Sequence, residues 1–208
     1  MKDSIHKKPR QNLRERARAI KPFRCKNLIA VLEEPADYKN VGTVIRNVNA
    51  LGVEKAYVID SRNLLPGDWA EMRDRKSLSA TSASAIKWSF VRTFQSTDEC
   101  IAHLKKKGFV SMATSPHRKG RENIVLHEGN YTTPAKLAIW FGNESQGISE
   151  LAVAASVACI NIPMFGLIES LNLGTSTGIV LYEVTKQRRG YQSQYKRAGK
   201  RMPIPKKR

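Results

Sequence analysis

Residues 160–178 read INIPMFGLIESLNLGTSTG, and this stretch decides how the rest of the chain is interpreted. It begins as a short apolar strand, reaches Pro163, which stops a strand ladder, and continues through a loop into a helix that begins near Thr175. Ser170 and Asn172 place a hydroxyl and an amide in that loop, at the carboxyl end of the predicted strand. In open α/β sheets this end of the strands is where ligands bind. The pattern therefore predicts a ligand site at this loop.

The same loop is unusually apolar for a connection between two elements. It carries four large apolar side chains, Met164, Leu167, Ile168 and Leu171. Because surface loops are normally polar, we expect this loop to be covered by a ligand or by another subunit. The alternative interpretation is that Ser170 and Asn172 are ordinary loop caps, which is the usual role of an isolated Ser or Asn.

Outward from this loop, the chain alternates between short apolar runs and patterns with helical spacing. The predicted strands lie at residues 27–32, 56–59, 88–94, 109–113, 137–141 and 157–162. The predicted helices lie at residues 12–20, 40–51, 100–107, 149–156 and 174–187. Residues 114–133 are predicted to form a long polar loop, and residues 61–87 short helices or loops. This alternation predicts an α/β fold with a mainly parallel sheet and helices on both of its faces.

Charge is concentrated at the two ends of the chain. The formal net charge is +18, of which residues 1–26 contribute +8 and residues 186–208 contribute +10, whereas residues 27–185 are neutral. We therefore expect a basic N-terminal extension over residues 1–26, a neutral domain over 27–190 and a basic tail over 191–208. Such ends favour a polyanionic partner, with nucleic acid preferred over acidic membrane lipid.

Several classes of protein are disfavoured by composition and spacing. The cysteines are odd in number and far apart, and the four histidines lack metal-ligand spacing, so neither a disulfide framework nor a metal site is expected. No signal peptide is recognised, and no apolar run approaches the roughly 20 residues of a membrane span. We expect a protein of the reducing cytoplasm.

Two further segments combine polar side chains with the end of a predicted element. Residues 40–47 read NVGTVIRN, and Arg46 falls off the apolar stripe of this helix, beside small neighbours that would let its guanidinium clamp a phosphate. The alternative is an ordinary surface arginine. Residues 141–148 read FGNESQGI, a strand and then a glycine turn in which Glu144 can accept hydrogen bonds; alone it could be a simple turn. Neither a GxGxxG nor a P-loop pattern is present, which argues against nicotinamide enzymes and nucleoside triphosphatases.

Taken together, three motifs in this order resemble those of the SpoU family in the SPOUT methyltransferase superfamily. They are N-x5-R from Asn40, FGNExxG from Phe141 and IPMxGxxxSLN from Ile162, and the resemblance spans about residues 27–187. The third motif is the most specific and looks similar to the tRNA guanosine 2′-O-methyltransferase branch. The resemblance implies a deep C-terminal trefoil knot, S-adenosylmethionine held by the knot loops, and a homodimer with the active site at the subunit interface.

The resemblance also implies roles for individual residues. It assigns catalytic roles to Asn40, Arg46, Glu144, Ser170 and Asn172. It places S-adenosylmethionine beside Thr114, Ser115, Gly142, Asn143, Gly147, Ile162, Met164 and Leu171. One departure is Gly174, which stands where close relatives often carry Ser.

The implied function is methylation of a ribose 2′-hydroxyl in RNA, with a guanosine of tRNA favoured. Alternatives are the same reaction on rRNA, and a non-catalytic RNA-binding protein that keeps the fold. A membrane-surface protein is disfavoured because no amphipathic anchor is present. Since a guanidinium keeps its proton at neutral pH, we expect Arg46 to position the substrate phosphate and not to act as the base.

Overall fold

The computed structural model describes residues 13–20, 23–63, 82, 85–120 and 122–197, and the statements below concern these residues. The strands are β1 (Cys25–Glu33), β2 (Val53–Ile59), β3 (Phe90–Phe94), β4 (Val110–Thr114), β5 (Asn123–Val125), β6 (Leu137–Phe141) and β7 (Cys159–Asn161). The α-helices are α1 (Leu13–Ile20), α2 (Tyr38–Ala50), α3 (Thr97–Lys106), α4 (Glu150–Ala154) and α5 (Leu173–Arg197). A 3₁₀ helix covers Ala85–Trp88.

The strands form one seven-stranded sheet in the order β3-β2-β1-β6-β4-β7-β5. All of its pairings are parallel, so the predicted α/β fold with a mainly parallel sheet is confirmed. One core cluster joins one face of the sheet to α2 and α5, and a second joins the other face to α3 and α4. The helices therefore lie on both faces, as the alternation of elements predicted.

The central strands are apolar on both sides because both faces are covered. In β1, Leu28, Ala30 and Leu32 pack in the cluster with α2 and α5, whereas Ile29 and Val31 pack in the cluster with α3 and α4. This is the two-residue alternation of a strand. A continuous apolar run is what a strand buried on both faces requires, which is why the periodicity of β1 is hidden in the sequence.

Helix α2 follows β1 and carries the first motif. Its N-cap, Asp37, accepts a hydrogen bond from the Lys39 backbone N–H at 2.8 Å. The predicted apolar stripe is buried, at Val41, Val44, Ile45 and Val48. Gly52 follows the helix with a φ of +75°, which favours glycine, so the predicted end of the helix is confirmed.

The structure differs from the predictions at several places, and β2 and α3 each begin three residues earlier than predicted, at Val53 and Thr97. Strand β5 lies inside the predicted polar loop of residues 114–133, because pairing with β7 stabilises a run too short to be recognised from its sequence. Strand β3 begins at Phe90, two residues late, since Trp88 ends the 3₁₀ helix. The last helix reaches Arg197, beyond the predicted end at Gln187. Predictions for residues 1–12, 64–81 and 198–208 lie outside the described residues.

Part of the positive charge near the C-terminus is structural. Arg188 is only 4% exposed, and its guanidinium donates to the carbonyls of Tyr131, Pro134 and Ala135 at 2.9, 3.0 and 2.6 Å. Arg189 donates to the Leu51 carbonyl at 2.8 Å. These two cations hold α5 against its neighbours, and the buried Arg188 is not available to a polyanion.

Candidate functional site

A cavity of about 340 Å³ opens at the carboxyl ends of β4, β6 and β7. All eight residues expected beside the cofactor line it: Thr114, Ser115, Gly142, Asn143, Gly147, Ile162, Met164 and Leu171. Two residues expected to be catalytic, Glu144 and Ser170, line it as well. The order of the strands explains this convergence, because neighbouring parallel strands end at the same edge of the sheet.

Several polar residues of the cavity wall were not predicted from the sequence. They are His117, Lys119, Ser145, Gln146 and Ser176. Only their positions could have identified them from the sequence, because each of them lies within a few residues of a motif or of the end of β4.

The loop after β6 is fixed by its own backbone. Asn143 and Gly147 exchange two backbone hydrogen bonds, each 2.9 Å long. The Asn143 carboxamide oxygen accepts from the N–H groups of Ser145 and Gln146 at 2.8 and 3.0 Å, and its nitrogen donates to the Glu34 carbonyl at 2.5 Å. This loop is therefore a tight hairpin attached to the end of β1.

Glycine is required at both ends of this hairpin. A Cβ atom on Gly142 would overlap the backbone of Gly147 and Ile148, and Gly147 itself has a φ of +71°. The first glycine permits close approach of two backbone segments, and the second adopts a conformation that side chains disfavour. The spacing FGNExxG is thus a requirement of this turn.

Three polar residues expected to be catalytic form a chain of hydrogen bonds across the three motifs. The Asn40 amide nitrogen donates to Glu144 Oε1 at 2.6 Å, and the Ala36 N–H donates to Glu144 Oε2 at 2.8 Å. The Asn172 amide nitrogen donates to Asn40 Oδ1 at 3.2 Å. Asn172 Oδ1 then accepts from the Gly174 N–H at 2.8 Å, at the start of α5.

The orientation of both amides in this chain follows from chemistry. A carboxylate only accepts hydrogen bonds, so Asn40 must present its nitrogen to Glu144 and its oxygen to Asn172. Asn172 must then present its own oxygen to the backbone donors of α5. One acceptor at Glu144 therefore sets the direction of every bond as far as the helix start.

A buried carboxylate holds the far end of the hairpin. Glu33 is 4% exposed and accepts from the Thr97 hydroxyl at 2.6 Å, the Ser149 hydroxyl at 2.6 Å and the Ser149 N–H at 2.8 Å. Ser149 is the N-cap of α4, so Glu33 ties the ends of β1 and of the hairpin to the starts of α3 and α4. No pattern in the sequence had singled out this residue.

The loop after β4 forms the opposite wall of the cavity. The Thr114 hydroxyl donates to the Trp140 carbonyl at 2.8 Å, and Ser115 Oγ accepts from the His117 N–H at 3.1 Å. Asn161 donates to the Ser115 carbonyl at 3.2 Å. These bonds keep the Ser115 side chain and the loop backbone beside the ends of β6 and β7.

The third motif divides its apolar side chains between two environments. Met164 and Leu171 line the cavity, whereas Phe165, Leu167 and Ile168 are 95%, 102% and 67% exposed. The described residues of the chain leave this loop uncovered. The expectation that a ligand or another subunit covers it stays a prediction.

Arg46 lies apart from the other residues expected to be catalytic. Arg46, Asn40 and Asn172 are all absent from the cavity wall, but Asn40 and Asn172 are joined to Glu144 by hydrogen bonds, whereas Arg46 is exposed and outside that chain. Six positions along a helix correspond to about 9 Å and to about 120° of rotation, so Arg46 projects from a different side of α2 than Asn40.

The glycine at position 174 has a packing reason. A Cβ atom there would lie 2.6 Å from the Thr43 methyl group and 3.1 Å from Asn172 Oδ1. The Asn47 amide also donates to the Gly174 carbonyl at 2.7 Å. Helices α2 and α5 approach closely at this point, so a side chain at position 174 would displace the Thr43 side chain.

The described residues contain neither a metal-ion cluster nor a membrane-spanning helix. Over the described ranges, no group of three or more His, Cys, Asp or Glu side chains could hold a metal ion. No helix within them is long and apolar enough to cross a membrane.

Comparison with known proteins identifies relatives of this chain. The profile of the SpoU rRNA Methylase family matches residues 27–182. The tRNA (guanosine(18)-2'-O)-methyltransferase of Thermus thermophilus is 29% identical over 175 residues, covering 84% of this chain and 82% of the relative. The crystal structure of the Aquifex aeolicus TrmH/SpoU tRNA modifying enzyme has a TM-score of 0.71 at 26% identity, over 88% and 87% of the two chains.

A third similarity concerns the fold alone. The SpoU methyltransferase AviRb from Streptomyces viridochromogenes, solved in complex with the cofactor AdoMet, is 24% identical with a TM-score of 0.62. The similarity covers 78% of this chain and 58% of AviRb.

Proposed function

Because the chain belongs to the SpoU rRNA methylase family, we propose that it transfers a methyl group from S-adenosylmethionine to a ribose 2′-hydroxyl of RNA, with a guanosine of tRNA as the favoured target. The observation that carries the proposal is the hydrogen-bond chain that joins three distant motifs at Glu144, which lines the cavity. The name of the Thermus relative supports tRNA, and the name of the family keeps rRNA as the second candidate substrate.

The cavity fits a nucleoside cofactor. Its volume of about 340 Å³ lies in the range of small-molecule sites, and its wall combines apolar side chains with the backbone of two loops. When bound, S-adenosylmethionine supplies a sulfonium methyl group that is already electrophilic. The chain's task is therefore to orient the acceptor hydroxyl and to manage its proton.

The hydrogen-bond chain suggests how the polar residues divide this task. Both carboxylate oxygens of Glu144 already accept hydrogen bonds, so we assign Glu144 to holding Asn40 and not to removing a proton. Asn40 and Asn172 are then fixed beside Glu144, which lines the cavity, and their remaining hydrogen-bonding capacity can orient the ribose. Ser170, on the cavity wall, offers a hydroxyl to the same region.

We further propose that the active site is completed by a second copy of the chain. Arg46 is exposed and does not line the cavity of its own chain, and the exposed side chains of Phe165, Leu167 and Ile168 form an apolar surface beside that cavity. In a homodimer the arginine of one protomer would hold the substrate phosphate at the cavity of its partner.

The C-terminal knot is proposed on the family relationship and on topology. Strand β7 lies between β4 and β5, and α5 is bonded to the connection between β5 and β6, where Gln187 contacts Gly129 and Tyr131 at 3.0 and 3.1 Å. Because the chain leaves β7 beside the connection from β5 to β6, the segment after β7 is positioned to pass through the loop that this connection forms.

The basic ends, 1–26 and 191–208, are proposed to contact RNA phosphates around the domain of residues 27–190, in the cytoplasm where tRNA is modified.

Methylation mapping tests the proposed function. Purified protein is incubated with S-adenosylmethionine and with matched unmodified tRNA and rRNA transcripts, and ribose methylation is mapped by mass spectrometry. A single 2′-O-methylguanosine in tRNA is expected, whereas a product confined to rRNA would select the second candidate. Binding of S-adenosylmethionine by calorimetry without any methylated product would favour a non-catalytic RNA-binding role.

A further inference from the structure

A second surface of interest lies at the amino ends of β2 and β3, at the opposite end of the sheet from the cavity. The parallel register places Lys55 beside Phe90 and Tyr57 beside Arg92. Side chains two residues apart share one face of a strand, and Tyr57 packs beneath α3, with its ring 5.6 Å from that of His103. Lys55, Phe90 and Arg92 therefore continue the α3 face of the sheet.

One exposed aromatic ring, Phe90, lies among cations on this surface, and a buried ring, Phe94, supports one of those cations from below. Lys55 Nζ lies 5.8 Å from the centre of the Phe90 ring, which is 53% exposed, and the Arg92 guanidinium lies 4.8 Å from the centre of the Phe94 ring. At the end of α3, the Lys136 ammonium donates to the Lys107 carbonyl at 2.8 Å. We define the basic–aromatic face by these residues: Lys55, Phe90, Arg92, His103, Lys107 and Lys136.

The positive charge of the basic–aromatic face is not neutralised within the described part of the chain. None of the ion pairs found there involves its lysines or its arginine. The pKa of His103 is lowered, first by burial and then by the charges of Arg92, Lys107 and Lys55, with Glu99 acting in the opposite sense. The positive charges of several side chains therefore act together at His103, and a bound polyanion would reduce the repulsion between them.

Structural roles explain only part of this arrangement. Cations on an edge strand discourage pairing with other sheets, and lysines in the last turn of α3 interact favourably with the helix dipole. Neither effect calls for a half-exposed phenylalanine between the cations. Aromatic rings interleaved with basic side chains are the arrangement that binds unpaired nucleic acid, by stacking and by phosphate contacts.

We propose that the basic–aromatic face binds a segment of the RNA substrate distant from the methylated nucleotide. Lys55, Arg92, Lys107 and Lys136 contact phosphates, and the Phe90 ring stacks on an unpaired base. Strand β1 has nine residues and spans about 25 Å, so one RNA reaches both ends of the sheet. This inference rests on the proposed RNA substrate and adds a binding surface outside the active site.

Binding measured over a series of salt concentrations tests the proposal. The variants are Arg92→Ala, Lys55→Ala/Arg92→Ala and Phe90→Ala, and the probes are an unmodified tRNA transcript and oligouridylate. The matched control is Lys105→Ala, which removes an exposed lysine about 200° round α3 from His103. Fluorescence anisotropy gives the Kd and its salt dependence, and thermal unfolding verifies that each variant is folded.

The expected results separate this face from a general effect of charge. Each lost phosphate contact should reduce the slope of log K against log salt by about 0.7–0.9, and the double variant should raise the Kd about tenfold. Phe90→Ala should weaken oligouridylate binding without changing the slope, while Lys105→Ala stays within about twofold of the wild-type protein. S-adenosylmethionine affinity and turnover at saturating RNA should be unchanged.

Three outcomes would overturn the proposal. One is a double variant whose Kd and salt slope equal those of the wild-type protein. Another is equal weakening of RNA binding by Lys105→Ala, which would indicate a general effect of charge and no defined binding site. Binding of acidic lipid vesicles, and not RNA, by the same residues would also contradict it. Because binding is measured directly, absence of methylation by the wild-type protein would refute the proposed function while the binding series still decides the role of this face.

Discussion

Exchanging the carboxylate of Glu144 and the amide of Asn40 provides the sharpest test of the hydrogen-bond chain at the cavity edge. In Glu144→Gln, one of the two acceptors for Ala36 and Asn40 becomes a donor, so either the backbone bond of 2.8 Å or the side-chain bond of 2.6 Å is lost. A hydrogen bond to a charged group contributes about 1.5–3 kcal/mol, and partial exposure favours the lower end, so we expect the free energy of unfolding to fall by about 1.5 kcal/mol.

The second single variant, Asn40→Asp, places two carboxylates where the bond of 2.6 Å was. Position 40 lies in the first turn of α2, where an acidic side chain is favoured by the helix dipole, so the cost comes from Glu144 and not from the helix. We expect a loss of about 2 kcal/mol, from the missing bond and from like-charge repulsion.

The double variant, Glu144→Gln/Asn40→Asp, restores every donor and acceptor with the charge moved to position 40. The glutamine introduced at position 144 can donate to the new carboxylate and still accept from the Ala36 N–H. The aspartate introduced at position 40 can still accept from Asn172. Independent effects would add to a loss of about 3.5 kcal/mol, whereas we expect about 1 kcal/mol, a coupling within the range of neighbouring residues.

Urea unfolding of the four proteins and calorimetry with S-adenosylmethionine supply the measurements. Additive losses within about 0.5 kcal/mol would refute the claim that Glu144 sets the orientation of Asn40. Turnover is a separate readout. If stability and cofactor binding recover in the double variant while methylation does not, the amide of Asn40 is needed by the substrate itself.

Further predictions concern the dimer, the hairpin and the core. Arg46→Ala should abolish most methylation, yet mixing it with inactive Gly142→Ala should restore about one quarter of the wild-type activity if the sites are shared between subunits, and none if they are not. Gly142→Ala should itself weaken S-adenosylmethionine binding at least about tenfold by overlap with the hairpin backbone, whereas Gly166→Ala, which meets no atom within 4 Å, should bind normally in calorimetry. Arg188→Met should lower the free energy of unfolding by about 3 kcal/mol in urea, because buried carbonyls lose their donor. Burial raises the pKa of Cys100 from 9.0 to about 12, so its contribution to stability should be complete below pH 9 and be lost towards pH 12, and native protein should resist iodoacetamide at this thiol until it is unfolded.

Much of the fold was accessible from sequence because its elements are locally specified. Strand β6 is a run of five buried apolar residues, and it was predicted at its observed bounds. Helix α2 was recognised by a stripe that the structure buries. The start of α3 is fixed locally by its N-cap Ser96, whose side chain accepts from the Glu99 N–H at 3.2 Å.

Elements stabilised by distant partners were missed or misjudged. Strand β5 has three residues and depends on β7, and the second half of α5 is held by Arg188 and Arg189 against loops far away in sequence. Isolated patterns do not reveal such contacts, because their stabilisation comes from the partner and not from the segment.

The amino-acid sequence by itself determined the chemistry of this protein: which residues occupy the three motifs, which runs are apolar enough to form a covered sheet, and where charge accumulates. Only the tertiary structure decided which of those groups meet. Asn40 and Glu144 are 104 residues apart in the chain and 2.6 Å apart in space, because β6 lies beside β1 in the sheet. Glu33, Thr43 and the basic–aromatic face acquire meaning in the same way, since the order and register of the strands fix distances between segments that no local pattern contains.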